Sequence, residues 1–176
     1  MRAFVLIITL LMSSFSQADY LAPNAFNEES SPYKALIFLS HKCPCSRSHI
    51  EHINSILTKN KDLKIFGVIS EPSKGDDKVL SDQYYTQSNF NFPIIEDPQQ
   101  SLVKEYGALK TPHVTLLKKT MEGKFKVIYQ GGLTNQKVFN DSGKFYLAEN
   151  MENLSHGKPL KYERGFSLGC YIKRIQ

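Results

Sequence analysis

The sequence predicts an α/β protein on a central mixed sheet, with a parallel strand–helix–strand half followed by an antiparallel strand–strand–helix half. Two apolar runs, Ala35–Leu39 and Leu63–Ile69, flank a segment of about residues 44–59 in which Ile50, Ile53 and Leu57 recur at helical spacing. Strand, helix and strand in so short a stretch make a parallel pair with a right-handed crossover. Val114–Leu117 and Phe125–Tyr129, joined across Lys118–Lys124 with Gly123 to turn on, read as a hairpin. Phe145–Ser155 then returns to helix, with Leu147, Met151 and Leu154 on one side and Gly157 at its end.

The remaining elements follow in order. Met1-Arg2, the apolar run Ala3–Met12 and the small residues Ser16 and Ala18 have the three parts of a secretory signal, so residues 1–18 are expected to be cleaved before Asp19. No further membrane-spanning segment is expected, and export to the periplasm or outside the cell follows. Residues 19–34 are polar and Pro-punctuated, without a period, and read as an exposed lead-in to one domain over 35–176. Lys78–Asn89 is weakly helical, with Val79, Leu80 and Tyr84 as its apolar side and Asp76 or Asp77 as its cap. Phe92–Glu96 is a short strand; Asp97-Pro98 starts a helix through Tyr106 that Gly107 ends, and residues 158–176 show no period.

The chemistry gathers where the first strand meets its helix, at Ser40-His41-Lys42-Cys43-Pro44-Cys45-Ser46. The unpaired N–H groups of a first helical turn and the positive end of the helix dipole favour thiolate, the reactive form. Pro44 suits the first helical position and pushes Cys43 toward extended backbone, so Cys43 is expected as an exposed N-cap with Cys45 inside the first turn. Two residues apart on a continuous helix the sulfurs would diverge, but an N-cap has freedom to bring its sulfur round.

Composition narrows the partners. Loss of Arg2 with the leader lowers the net charge from +5 to +4, and no basic run carries interleaved aromatics, which excludes nucleic acid as a partner. Three cysteines in an exported chain leave an odd thiol, arguing against a disulfide scaffold and for redox or metal use. Cys170, in Gly169-Cys170-Tyr171, reads either as a thiol that resolves Cys43 in place of Cys45 or as a buried tail cysteine.

This order of elements, with a cysteine pair at the first strand–helix junction, resembles the thioredoxin fold, and within it the peroxiredoxin-like or redoxin branch. The resemblance is carried by Cys43-Pro-Cys-Ser46, Phe92-Pro-Ile-Ile-Glu-Asp97, Tyr106-Gly-Ala-Leu-Lys-Thr-Pro112-His113, and Tyr129-Gln-Gly131 with the later Gly169-Cys170-Tyr171. It implies a three-layer fold, a cis Thr111-Pro112 bond facing the cysteines, a substrate platform at Thr111, Pro112 and His113, and Cys43 as the attacking sulfur. The spacer between the cysteines is one residue rather than the thioredoxins' two, and Leu36 stands where the peroxidatic pattern has a proline ahead of Ser40.

Three functions are consistent with these residues. The leading one is an exported thiol-disulfide oxidoreductase that needs no cofactor, acts on protein or small-molecule thiols and disulfides, and uses Cys43 as nucleophile and Cys45 as resolving thiol, with Ser40 and Pro44 shaping the helix start. A second is a thiol peroxidase in which Cys43 passes through a sulfenic acid; Leu36 counts against it, and Arg47 is the one nearby candidate for a partner arginine. A third is a copper-binding or copper-insertion protein holding metal through Cys43, Cys45 and His113. Protonated His41 or His113 would stabilise a thiolate, whereas His49 and His52 are expected on a solvated helix face.

Overall fold

The computed structural model describes residues 20–175, so the leader read over residues 1–18 lies outside the described residues. Six strands form one sheet in the order β1-β4-β3-β2-β6-β7: Tyr20–Leu21 (β1), Tyr33–Leu39 (β2), Leu63–Ile69 (β3), Ile94–Glu96 (β4), His113–Lys119 (β6) and Phe125–Gly131 (β7). Lys110–Thr111 (β5) pairs separately with Cys170–Tyr171 (β8). β2 runs parallel to β3 in register Ile37↔Gly67, and antiparallel to β6 in register Ile37↔Val114. The helices are Pro44–Ser48 (α1), Ile50–Lys59 (α2), Asp76–Gln87 (α3), Ser101–Glu105 (α4) and Tyr146–Ser155 (α5).

Strand alternation divides the core into two layers. Ala35, Ile37 and Leu39 point to the face covered by Ile50, Ile53 and Ile56 of α2, Tyr84 and Tyr85 of α3, and Leu147 and Met151 of α5. Leu36 and Phe38 point the other way, toward Leu102 and Val103 of α4, Phe26 and Ile172. Each such side chain taken from water contributes about 1.5–3 kcal/mol. β2 is apolar on both faces because both are covered. Among the described residues, no helix is long and apolar enough to cross a membrane.

Several expectations change. The lead-in is not simply exposed: Tyr20–Leu21 adds an edge strand parallel to β4, and Phe26 is buried. Lys34 is fully buried yet satisfied, its ammonium donating to the Phe26 carbonyl and lying 3.6 Å from the Phe125 ring centroid. α3 buries Ser81, Tyr84 and Tyr85 and leaves Val79 and Leu80 exposed, so its apolar side is not the one expected; Gly75 is its N-cap. α4 begins four residues after Asp97, beyond Gln100 in the left-handed region at φ 53°, and the Asp97 carboxylate accepts from the Val103 N–H and the Ser101 hydroxyl of its first turn. The aperiodic tail is ordered, and it lies across the candidate site.

Candidate redox site

β2 delivers the chain to a tight turn. The Ser40 carbonyl accepts from the Cys43 N–H at 3.1 Å, and the Ser40 hydroxyl accepts from the Lys42 N–H at 3.3 Å. The Ser40 N–H donates in turn to the hydroxyl of buried Ser46. Cys43 leaves this turn extended, at φ −96° and ψ 109°, as the N-cap of α1 with Pro44 at its start. The expected single helix over 44–59 is broken at His49. There the Cys45 carbonyl is occupied by the Ser48 hydroxyl at 3.0 Å and the His49 Nδ1 at 2.7 Å, while the His49 N–H turns back to Ser46. His49 is therefore fully buried, with Nε2 against the Thr134 hydroxyl at 2.9 Å, and His52 stacks on Phe139; neither sits on a solvated face.

The second wall of the site is the β5–β6 junction. The Thr111–Pro112 peptide bond is cis, and the Thr111 carbonyl accepts from the Cys43 thiol at 3.2 Å. The third is the tail: β8 lies antiparallel to β5 with Cys170 opposite Thr111. This brings the sulfurs of Cys43, Cys45 and Cys170 within 4.8 Å of one another, all as free thiols. Cys43 is not the exposed cap the sequence suggested; it is 1% exposed, because the tail crosses above it. Cys170 is the cysteine at the surface, not a buried tail residue.

The three thiols do not ionise alike. Burial opposes charge on Cys43, but the Cys170 S–H, the Thr111 hydroxyl and the backbone N–H groups of Cys170 and Ser46 outweigh it and hold Cys43 down at about 7. Burial raises Cys45, and a charge on Cys43 raises it further. Cys170 is pushed up to about 12, first by desolvation of its sulfur and then because its S–H is committed to Cys43. Cys43 is thus the first of the three to ionise, and the other two stay protonated in the neutral range.

The other sequence candidates are placed differently. His113 turns its Nδ1 to the Ser167 hydroxyl at 2.9 Å and its ring against Phe38, and the cluster contains Cys170 in its stead. Burial holds His113 down to about 4, so it is neutral near pH 7 and lends no positive charge to a thiolate. His41 pairs with Asp77 at 3.0 Å, and the Arg47 guanidinium lies over the Tyr84 ring. Gln100 and the pairing of the tail with β5 were not foreseen from the sequence. Gly169 beside Cys170 was the available signal, since a glycine there permits close backbone approach.

The sheet order, the cysteine-bearing helix start and the facing cis-proline define a thioredoxin-like fold. No protein-family model and no curated protein matches the chain. Among solved structures, it is similar to a hypothetical protein of Sinorhizobium meliloti (TM-score 0.64, 21% identity, 83% of this chain and 81% of that one). It is also similar to an uncharacterized conserved protein of Geobacillus kaustophilus (TM-score 0.63, 20% identity, 83% and 79%). StoA of Bacillus subtilis aligns over 57% of this chain and 76% of its own, at TM-score 0.46 and 20% identity.

Proposed function

We propose that this chain is a thiol-disulfide oxidoreductase acting on protein or small-molecule thiols and disulfides, with Cys43 as nucleophile and Cys45 as resolving thiol. The observation that carries the reading is the Cys43 sulfur at a helix start, 3.2 Å from the carbonyl before a cis-proline, with a second thiol two residues on. Cys43 is ionised near pH 7 while Cys45 stays protonated, the division of labour that exchange needs: one sulfur attacks, and the other then expels the bound partner by attacking Cys43. The chemistry requires no cofactor. Action outside the cytosol, in the periplasm or as a secreted protein, is supported by the leader read in residues 1–18. The experiment is turnover of a small aromatic disulfide by wild type, Cys43→Ala and Cys45→Ala. Loss of turnover in both variants is expected, and full activity of Cys43→Ala rejects the assignment.

A second reading, binding of copper(I), is favoured by the convergence of three sulfurs, a donor set that suits a soft cation in trigonal coordination. The third ligand is then Cys170 rather than His113. Stoichiometric copper(I) binding together with negligible disulfide exchange would move this reading ahead of the first. For the peroxidase alternative the support is weaker, because the groups that favour the Cys43 thiolate are thiol, hydroxyl and amide donors, and Arg47 is engaged with Tyr84.

A further inference from the structure

The residues that seal Cys43 are themselves held in place. Ile172 is buried in the second core layer, and its N–H donates to the Leu109 carbonyl at 2.9 Å. Gln100, fully buried, donates through Nε2 to the carbonyls of Ser70 and Lys173 and accepts the Ile175 N–H. The Arg174 guanidinium caps the Ala108 carbonyl at 2.7 Å. Gly169 presses so close to β5 that a Cβ there would stand 1.9 Å from the Thr111 oxygen. Swinging this segment aside to admit a partner would forfeit all of these contacts and expose Ile172. A partner approaching the closed site meets Cys170, at the surface, before it can reach Cys43, which is 1% exposed.

We propose that Cys170 is a third catalytic cysteine, the one that partner disulfides contact, and that it relays exchange to the buried Cys43–Cys45 pair. The proposal rests on the oxidoreductase reading and names its substrate class. The Thr111 backbone is already paired with the protein's own tail, so the partner is recognised by an exposed, unhindered disulfide and not by an extended peptide strand laid on Thr111. Cys170 occupies the position of such a strand and presents its sulfur to Cys43 as a bound substrate would.

The steps balance for a partner R–S–S–R′. The Cys43 thiolate takes the proton of the Cys170 S–H that is hydrogen-bonded to it as Cys170 attacks one partner sulfur, and the departing R′S⁻ takes that proton from Cys43, which is left as thiolate. The Cys43 thiolate attacks the Cys170 sulfur, forming a Cys43–Cys170 disulfide and releasing RS⁻, which is also protonated. Cys45 gives up its proton and attacks Cys43, closing Cys43–Cys45, and Cys170 departs as thiolate and recovers a proton. Two electrons and two protons pass to the partner, counting the proton Cys43 gave up on ionising. A dithiol partner running the sequence backwards restores the starting thiols.

The test compares wild type, Cys170→Ser and Cys45→Ala with an aromatic disulfide as probe, with circular dichroism to verify folding. Because the Cys170–Cys43 step is intramolecular, Cys170→Ser is expected to lose on the order of a hundredfold in exchange rate. Cys45→Ala, after one equivalent of the probe, is expected to carry an internal Cys43–Cys170 disulfide by peptide mapping. An active wild type with Cys170→Ser equally fast or faster overturns the relay and leaves the oxidoreductase reading standing, as does a probe adduct on Cys43 with Cys170 free. Absence of exchange in wild type overturns both.

Discussion

Replacing Gly169 by alanine tests whether the tail is a built part of the site. The added methyl would sit 1.9 Å from the Thr111 carbonyl oxygen and 2.9 Å from its carbon, and these are backbone atoms of a paired strand, with no rotamer to change. Relief requires β8 to move off β5 by more than an ångström, which breaks the Ile172 N–H bond to Leu109 and lifts Ile172 from its core layer. Overpacking of this kind costs about 1–3 kcal/mol, and part of the roughly 2 kcal/mol gained by burying an isoleucine is lost with it. A destabilisation of about 3 kcal/mol is therefore expected. Urea unfolding followed by circular dichroism measures it, and alkylation of Cys43 read by peptide mapping reports whether the cover has opened. Gly169→Ala with unchanged stability and Cys43 still shielded would refute the close fit of the tail to Thr111.

Gln100→Ala removes bonds to Ser70, Lys173 and Ile175 and should cost about 2–3 kcal/mol, with faster hydrogen exchange at residues 170–175. An unchanged exchange pattern would mean that Gln100 does not hold the tail. For His113, the folded state holds the imidazole down to about 4 from 6.5, so its contribution to stability, about 3 kcal/mol in full, is present above pH 6.5 and is lost as pH falls from there through 4. Urea midpoints at pH 7.5 and 4.5 should therefore converge in His113→Gln relative to wild type; an equal drop in both proteins would contradict the assignment.

What could be read in the sequence was local. The β2 and β3 cores, the hairpin and α5 each carry their period within a dozen residues or so, and Pro44 fixed the start of α1 and the extended backbone of Cys43. The break at His49 was hidden because it depends on side chains capturing the Cys45 carbonyl, which leaves the apolar spacing of α2 intact. α3 misled for a related reason: its exposed Val79 and Leu80 look like a core face, whereas the buried side is made of tyrosines and Ser81. The site itself was half legible. Cys43, Cys45, Thr111 and Pro112 announce themselves by residue type and neighbour, but Cys170 reaches them by pairing across 59 positions, through a two-residue strand too short to show alternation. The covering of Cys43 follows from that pairing and shares its invisibility.

Of the three thiols, Cys43 alone ionises near neutral pH, while its two neighbours stay protonated. Ultraviolet titration of thiolate absorbance in the reduced protein, repeated on Cys43→Ala, measures this directly. A single thiolate is expected to appear with a midpoint near pH 7, absent in the variant, with Cys45 and Cys170 ionising only well above it. A first midpoint near 9, the ordinary thiol value, or a neutral-range thiolate that survives in Cys43→Ala, would contradict it.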